Sequence, residues 1–405
     1  MTKRVLISGA GIAGPALAYW LQRAGCTPTV VEVAPAPRPG GQTVDLRGVA
    51  REVVTRMGVM PAIQARQLHE KGLAYVRANG RRAAALPTEL LDGAGPVAEI
   101  EILRGDLSAI LLAATPDVEY VYGDTITGLV QENDGVRVTF HRGAERRFDL
   151  VVGADGVHSR VRALAFGPEE RFVHHLGGYG SSFTVPAPEP LDGWMKIHTV
   201  PGGRWVGLRP DHDPRFVRAL LTFRSPVLSY DRHDVAEQKQ LLRQTFQGVG
   251  WHTPHVLEAM TATEDFYFDS TSSVVVPEWS RGRVVLLGDA GYCGSPLAGH
   301  GTALSLVGAY VLAGELTSDG DHTRAFPAYQ RLMRDYVAQR SELPPGGIEG
   351  AMPMTAAGIR GRDAMIRLMT SRPLRGILAK AAAARPDAIT PADYPSLTPA
   401  TPSRE

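Results

Sequence analysis

Apolar residues recur along this chain in two rhythms. Short continuous runs, Val5-Leu6-Ile7-Ser8, Thr29-Val30-Val31-Glu32, Leu150-Val151-Val152-Gly153 and Val284-Val285-Leu286-Leu287, have the length and β-branched content of strands buried on both faces of a parallel sheet. Apolar positions at helical spacing follow the first of them, in Ala16-Leu17-Ala18-Tyr19-Trp20-Leu21, and Gly25 closes that helix. Ala303 to Leu316 reads as a second, more deeply buried helix; it includes Ser305 and Glu315 and is shorter than a bilayer span.

Between these runs the texture changes. Ile100-Glu101-Ile102-Leu103-Arg104 leads into a predicted helix over Asp106 to Ala114, with Asp106 as its N-cap. Alternating strands at Thr127–Gln131 and Val136–Phe140 are joined through Asn133-Asp134-Gly135, a hairpin signal. From Gly177 to about Val276, short strands (Trp194–Val200, Trp205–Leu208, Arg218–Phe223) alternate with Pro, Gly and Asp clusters, interrupted by one helix, Ala236–Gln247. After Phe326 the pattern is helical, with a break at Leu343-Pro344-Pro345-Gly346-Gly347, and the Pro-, Ser- and Thr-rich end reads as a frayed tail.

The expected architecture is α/β. A discontinuous Rossmann-like dinucleotide-binding domain takes residues 1–70, 96–172 and 277–325. An antiparallel-sheet substrate domain takes 71–95 and 173–276, a C-terminal helical segment 326–390, and a flexible tail 391–405.

Composition narrows this only modestly. With 405 residues, 44% apolar and 21% charged, the chain suits a globular protein of about two to three domains. A formal charge of +1 gives no global field for nucleic acid or an anionic membrane. Cys26 and Cys293 are the only cysteines, which excludes a disulfide framework and a cysteine zinc site. His174, His175 and His198 are too scattered for a metal centre, so no metal is expected. A core strand starting at residue 5 leaves no room for a signal peptide, and a cytoplasmic setting is expected.

The chemistry begins at Gly9-Ala10-Gly11-Ile12-Ala13-Gly14, set between the first strand and the first helix. Gly9 permits the tight turn, Gly11 lets the backbone approach a pyrophosphate, and Gly14 allows close helix packing. The helix start would present unpaired N–H groups and a positive dipole end to the phosphates. Pro15 fits there, because its missing N–H would have had no partner. Glu32, followed by Val33, ends the second strand where a ribose-binding acid is expected; it favours FAD or NAD over NADP.

Two further motifs give the chain its resemblance. Gly153-Ala154-Asp155-Gly156-Val157-His158-Ser159-Arg160-Val161-Arg162 and Leu287-Gly288-Asp289-Ala290 resemble the middle and last motifs of the FAD-dependent aromatic-hydroxylase class of flavoprotein monooxygenases, the p-hydroxybenzoate hydroxylase-like superfamily. Ser295-Pro296-Leu297-Ala298-Gly299-His300-Gly301, running on to Thr302, is similar to the Pro-x-x-Gly-x-Gly loop beside the isoalloxazine ring. His300 stands where many relatives have Gln, and either tunes the flavin or points to solvent. Arg38 and Arg104 match FAD-contacting positions, or are surface ion-pair residues. The segment Gly41–Arg47, with Gln42 and Arg47, resembles one passing near the flavin in the tetracycline-degrading and polyketide-tailoring branch. By this resemblance, Asp155, Gly156, Gly288, Asp289, Pro296, Gly299, Gly301 and Thr302 also serve FAD.

The resemblance implies a single-component monooxygenase. FAD is reduced by NADPH or NADH bound transiently, and O₂ forms a C4a-hydroperoxyflavin that hydroxylates a phenolic or polycyclic aromatic natural product. A Baeyer–Villiger insertion, or an FAD reductase or oxidase without oxygen transfer, is the alternative. No side chain is assigned a catalytic role. Substrate contacts are expected from Trp205, Arg209, Phe223, Pro296, Leu297 and Met352, with each aromatic either pocket wall or sheet core. Arg209 either orients a phenolate or enolate oxygen or is solvated. The partners expected are the aromatic substrate and O₂, with no nucleic acid and no stable membrane insertion, in a monomer or dimer.

Overall fold

The structure, a computed structural model, describes residues 2–38, 40–90, 100–294, 296–343, 346–374, 376 and 386–397. Several expectations fall partly outside these residues: the polar stretch at 91–95, the domain boundary at 96, Ser295, the Pro344-Pro345 break, 377–385 of the helical segment and the tail from 398.

Two sheets dominate the architecture. The first has six strands in the order Ser280–Arg281, Val284–Leu286, Leu150–Gly153, Arg4–Ser8, Thr27–Glu32, Glu119–Tyr122. All neighbours in it pair parallel except the Ser280–Arg281 edge. Val5, Leu6 and Ile7 have no accessible surface, as a doubly covered parallel strand requires. Helix Ala13–Arg23 and the long helix Gly301–Ser318 pack together over this sheet, with Trp20 edge-on to Tyr310 at 5.0 Å. Helix Gly301–Ser318 is buried on nearly every side because helix His322–Arg340 covers it further. Among the described residues no helix is long and apolar enough to cross a membrane.

The second sheet has seven strands in the order Tyr267–Val274, Val173–Pro186, Phe216–Arg224, Arg204–Pro210, Trp194–Val200, Gly72–Val76, Arg82–Pro87. One face carries Tyr179, Phe183, Val206, Leu208, Leu221 and Phe223 into a core closed by helices Val235–Phe246 and Thr253–Ala259. The register Trp205↔Thr222 and Gly207↔Leu220 puts Trp205, Gly207, Leu220 and Thr222 on the opposite face. A small two-stranded ribbon, Thr43–Leu46 with Ile100–Leu103, stands apart from both.

Two local expectations are corrected. The helix expected from Asp106 begins at Arg104, and Asp106 lies in its first turn, where it accepts from His212 Nε2 at 2.9 Å. Part of the expected free tail is docked. Tyr394 stacks edge-on to Tyr310 and donates to Glu315 at 2.8 Å, and Leu397 is buried. The Tyr394 ring has a place to go because Gly314 leaves it open: a Cβ there would strike that ring.

Candidate functional site

At the glycine turn, Gly9 has φ +106°, and a Cβ there would strike the Ala154 carbonyl of the middle motif. A Cβ on Gly14 would strike the Gly9 carbonyl, so the first and second motifs and the first helix share one tight backbone junction. Helix Ala13–Arg23 starts with no side-chain cap at Ile12, leaving its first N–H groups for an anion. Arg104 reaches over this turn: a Cβ on Gly11 would stand 2.9 Å from its Nη2. Its own N–H donates to the Gln42 carbonyl at 2.9 Å, and Ser108 donates to the Gly11 carbonyl at 3.2 Å. Glu32 accepts the Ala10 N–H at 2.8 Å and the Ala34 N–H at 2.9 Å. Val33 and Arg38 are exposed beyond it.

The third motif closes on the first. A Cβ on Gly288 would lie 2.9 Å from Ser305 Oγ and 3.4 Å from Ala13 Cβ, so this turn is pressed between the starts of two helices. Asp289 Oδ1 is 3.4 Å from where a Gly301 Cβ would be. Burial pushes the Asp289 carboxyl up, opposed by a hydrogen bond with Cys293 and by the Arg104 charge. The turn Pro296–Ala298 and Gly299 lead into helix Gly301–Ser318, which also begins without a side-chain cap, and Thr302 is buried in its first turn. His300 is half-buried rather than directed to solvent. Burial, then the charges of Arg340 and Arg47, push its imidazole down to about 4, against Asp387, so it is neutral near pH 7.

Asp155 is occupied structurally. Its oxygens accept from Ser159 Oγ, the Arg160 N–H at 2.8 Å, the Val161 N–H at 3.1 Å and Ser8 Oγ at 3.3 Å. It thereby caps helix Arg160–Ala165 and ties it to the first strand, while Gly156 supplies a left-handed turn (φ +81°). The next side chain but one, His158, bridges two regions: Nε2 meets Asp269 at 3.1 Å and Nδ1 meets Glu169 at 3.0 Å. Burial lowers its pKa, but the hydrogen bonds to these carboxylates outweigh it and raise it to about 9.

The expected substrate residues do not all come together. Trp205 lies half-buried on the other face of the seven-stranded sheet with Leu73, Met195 and Ile197, the face on which helix Ala356–Met369 packs. Leu297 is half-buried in the loop, and the Pro296–Ala298 turn packs against strand Tyr267–Val274. Phe223 is a correction: it stacks on Tyr179 at 5.7 Å in the core of the opposite face, because alternation along its strand turns it away. Met352 is fully buried, packed with Ile348 on Gly178. Arg209 is neither solvated nor free for a substrate. Its Nε donates to Glu70 at 2.6 Å and its Nη2 to Glu101, an ion cluster buried between sheet and ribbon.

Tyr267 escaped the sequence reading. It exposes 45% of its surface, yet its hydroxyl is pushed well above the usual range by burial and by Asp269, with Arg104 and Asp289 also within electrostatic reach. It thus stands within electrostatic reach of residues from the first and third motifs' surroundings, Arg104 and Asp289. Only the two-residue alternation with Asp269 marked it in the sequence. Among the described residues no group of three or more His, Cys, Asp or Glu is placed to hold a metal.

Two uncapped helix starts, Glu32 at the end of the second strand and Asp289 at the third turn suit a dinucleotide-binding flavoprotein. The comparisons agree. The model of the FAD binding domain family matches residues 2–343. A flavin-dependent monooxygenase of Legionella longbeachae serogroup 1 (strain NSW150) is 40% identical over 336 residues, covering 82% of this chain and 86% of that one. The crystal structure of tetracycline destructase Tet(51) superposes with a TM-score of 0.81 at 32% identity, covering 97% of this chain and 99% of the other. That of tetracycline destructase Tet(55) gives 0.78 at 35% identity, covering 97% and 99%. The chain belongs to the FAD-binding family of aromatic-hydroxylase-class monooxygenases, and it is an FAD-dependent monooxygenase.

Proposed function

We propose that this enzyme hydroxylates a phenolic or polycyclic aromatic compound, with NADPH or NADH as a transient electron donor. The observation that carries the reading is the uncapped start of helix Gly301–Ser318, set beside Asp289 and next to the strand bearing Tyr267. FAD, when bound, supplies the electron transfer and oxygen activation. The chain's own groups position and shield. N–H groups at the start of helix Gly301–Ser318 present positive potential where negative charge gathers on reduction. Asp289 and Glu32 would take sugar hydroxyls of FAD, and Arg104 and the first helix would hold its phosphates. His300, held neutral at the start of the same helix as Thr302, would offer a bound FAD a polar group without a charge.

Trp205 and Leu297 supply apolar walls for the aromatic substrate, and closing such a site against water protects the oxygen-transfer step. A donor held only transiently fits a chain with one dinucleotide fingerprint. The reading also carries O₂ as co-substrate, a cytoplasmic setting and a monomer or dimer.

The test is incubation of the purified protein with NADPH, isotopically labelled O₂ and a panel of phenols and aromatic polyketides. Label in a ring hydroxyl is expected. Label in a ring-expanded ester would convert the reading to Baeyer–Villiger insertion, and NADPH consumption with unlabelled product would replace it with a reductase or oxidase.

A further inference from the structure

Pro386–Leu397 returns to the molecule beside the flavin loop, and its first acidic residue is buried. Asp387 exposes only 6% of its side chain. Its Oδ2 accepts the Val49 N–H at 2.7 Å, and its Oδ1 pairs with Arg340, the last residue of helix His322–Arg340. Gln339 grips the segment on both sides: Nε2 donates to the Pro386 carbonyl at 2.8 Å, and Oε1 accepts the Ala388 N–H at 2.8 Å. Gly48, at φ +50°, makes room, since a Cβ there would strike the Asp387 carboxylate. Helix Val49–Arg56 has no local side-chain cap, and Asp387 takes that place from the far end of the chain.

The turn that Asp387 holds also carries charge toward the flavin loop. Arg47 pairs with Asp45 at 2.7 Å, and Asp45 Oδ2 is 3.9 Å from where a Cβ on Gly299 would stand. Arg47, Arg340 and Asp387 all act electrostatically on His300. We propose that Asp387 is a positioning residue for the flavin: it fixes the Leu46–Val49 turn and the Arg340 side chain, and so sets where Arg47 and Arg340 stand relative to His300 and the start of helix Gly301–Ser318. Cations near a reduced, anionic ring favour reduction, and a carboxylate beside them offsets part of that effect.

The experiment measures FAD affinity by fluorescence titration and the flavin midpoint potential by dye equilibration in Asp387→Ala, Asp387→Asn and Asp393→Ala. Asp393 is the control, an 89% exposed carboxylate on the same segment, paired with Arg56. Neither readout needs a substrate, so the outcome is independent of the proposed hydroxylation. Asp387→Ala is expected to weaken FAD by about tenfold, through loss of a buried charged hydrogen bond. Asp387→Asn is expected to bind FAD within about threefold of the wild type, because its amide oxygen still accepts the Val49 N–H, but with a raised potential, because a negative charge is gone. Asp393→Ala changes neither. Wild-type FAD affinity and potential in both Asp387 variants, even with a lowered melting temperature, would reduce the residue to a structural clamp and overturn the proposal. Should the Ala variant fail to fold, an unshifted potential in Asp387→Asn overturns it alone.

Discussion

Replacing Arg209 by Met should destabilise the protein severely while leaving its preference among substrates unchanged. Arg209 is buried with Glu70, whose side chain is 1% exposed, and Glu101, which has no accessible surface. Burial already pushes the Glu70 carboxyl up, against the attraction of Arg209. Removing the cation takes the counter-charge from two buried carboxyl groups in a low-dielectric space, a loss of about 3–5 kcal/mol. Total stability is on the order of 5–15 kcal/mol, so such a variant is close to unfolding. The carboxyls limit the damage by taking up protons, so the deficit relative to the wild type should shrink as pH falls from about 8 to about 5. Adding Glu101→Gln to Arg209→Met should recover part of the loss, because one buried negative charge fewer then lacks the Arg209 counter-charge. The assay is urea unfolding followed by tryptophan fluorescence at saturating FAD, since bound cofactor itself raises apparent stability. A variant destabilised by less than about 1 kcal/mol but with a strongly raised KM would refute this account and return Arg209 to the substrate.

Three further outcomes follow from the site. His158 rises from 6.5 to about 9 on folding, so its latch to Asp269 and Glu169 is fully present below pH 6.5 and is lost as pH climbs through 9. With the side chain 31% exposed, solvent screening leaves roughly 1–2 kcal/mol of this, read as a fall in urea midpoint between pH 6.5 and 10 that His158→Gln should abolish. Asp289→Ala should purify with little FAD, since buried sugar hydroxyls left unpaired cost ~1–3 kcal/mol each; unchanged flavin content would remove the assignment. Gly11→Val should lose FAD more completely, because its side chain would collide with Arg104 above the turn, and normal affinity in that variant would count against the pyrophosphate position.

What the sequence made legible was local. Buried parallel strands announce themselves as unbroken apolar runs, and Gly9, Gly14 and Gly288 mark places where backbone must pass too close for a side chain. The Asn133-Asp134 turn likewise needed only its own residues. The errors at the site concern partners far along the chain. Whether Trp205 and Phe223 share a face depends on the pairing Trp205↔Thr222, which alternation alone does not supply. Arg209 looked like a solvent or substrate residue because Glu70 reaches it from the stretch before strand Gly72–Val76 and Glu101 from a separate ribbon.

Yet the long-range partners leave one kind of trace. Gly314 sits inside a buried helix where alanine would be the better helix former, and its missing side chain is the space the Tyr394 ring fills. Gly48 opens a turn that the Asp387 carboxylate enters, and Gly178 clears the sheet surface for Ile348 and Met352. At Gly11 the incoming group is Arg104. A glycine placed against its local propensity is therefore a statement about a distant residue.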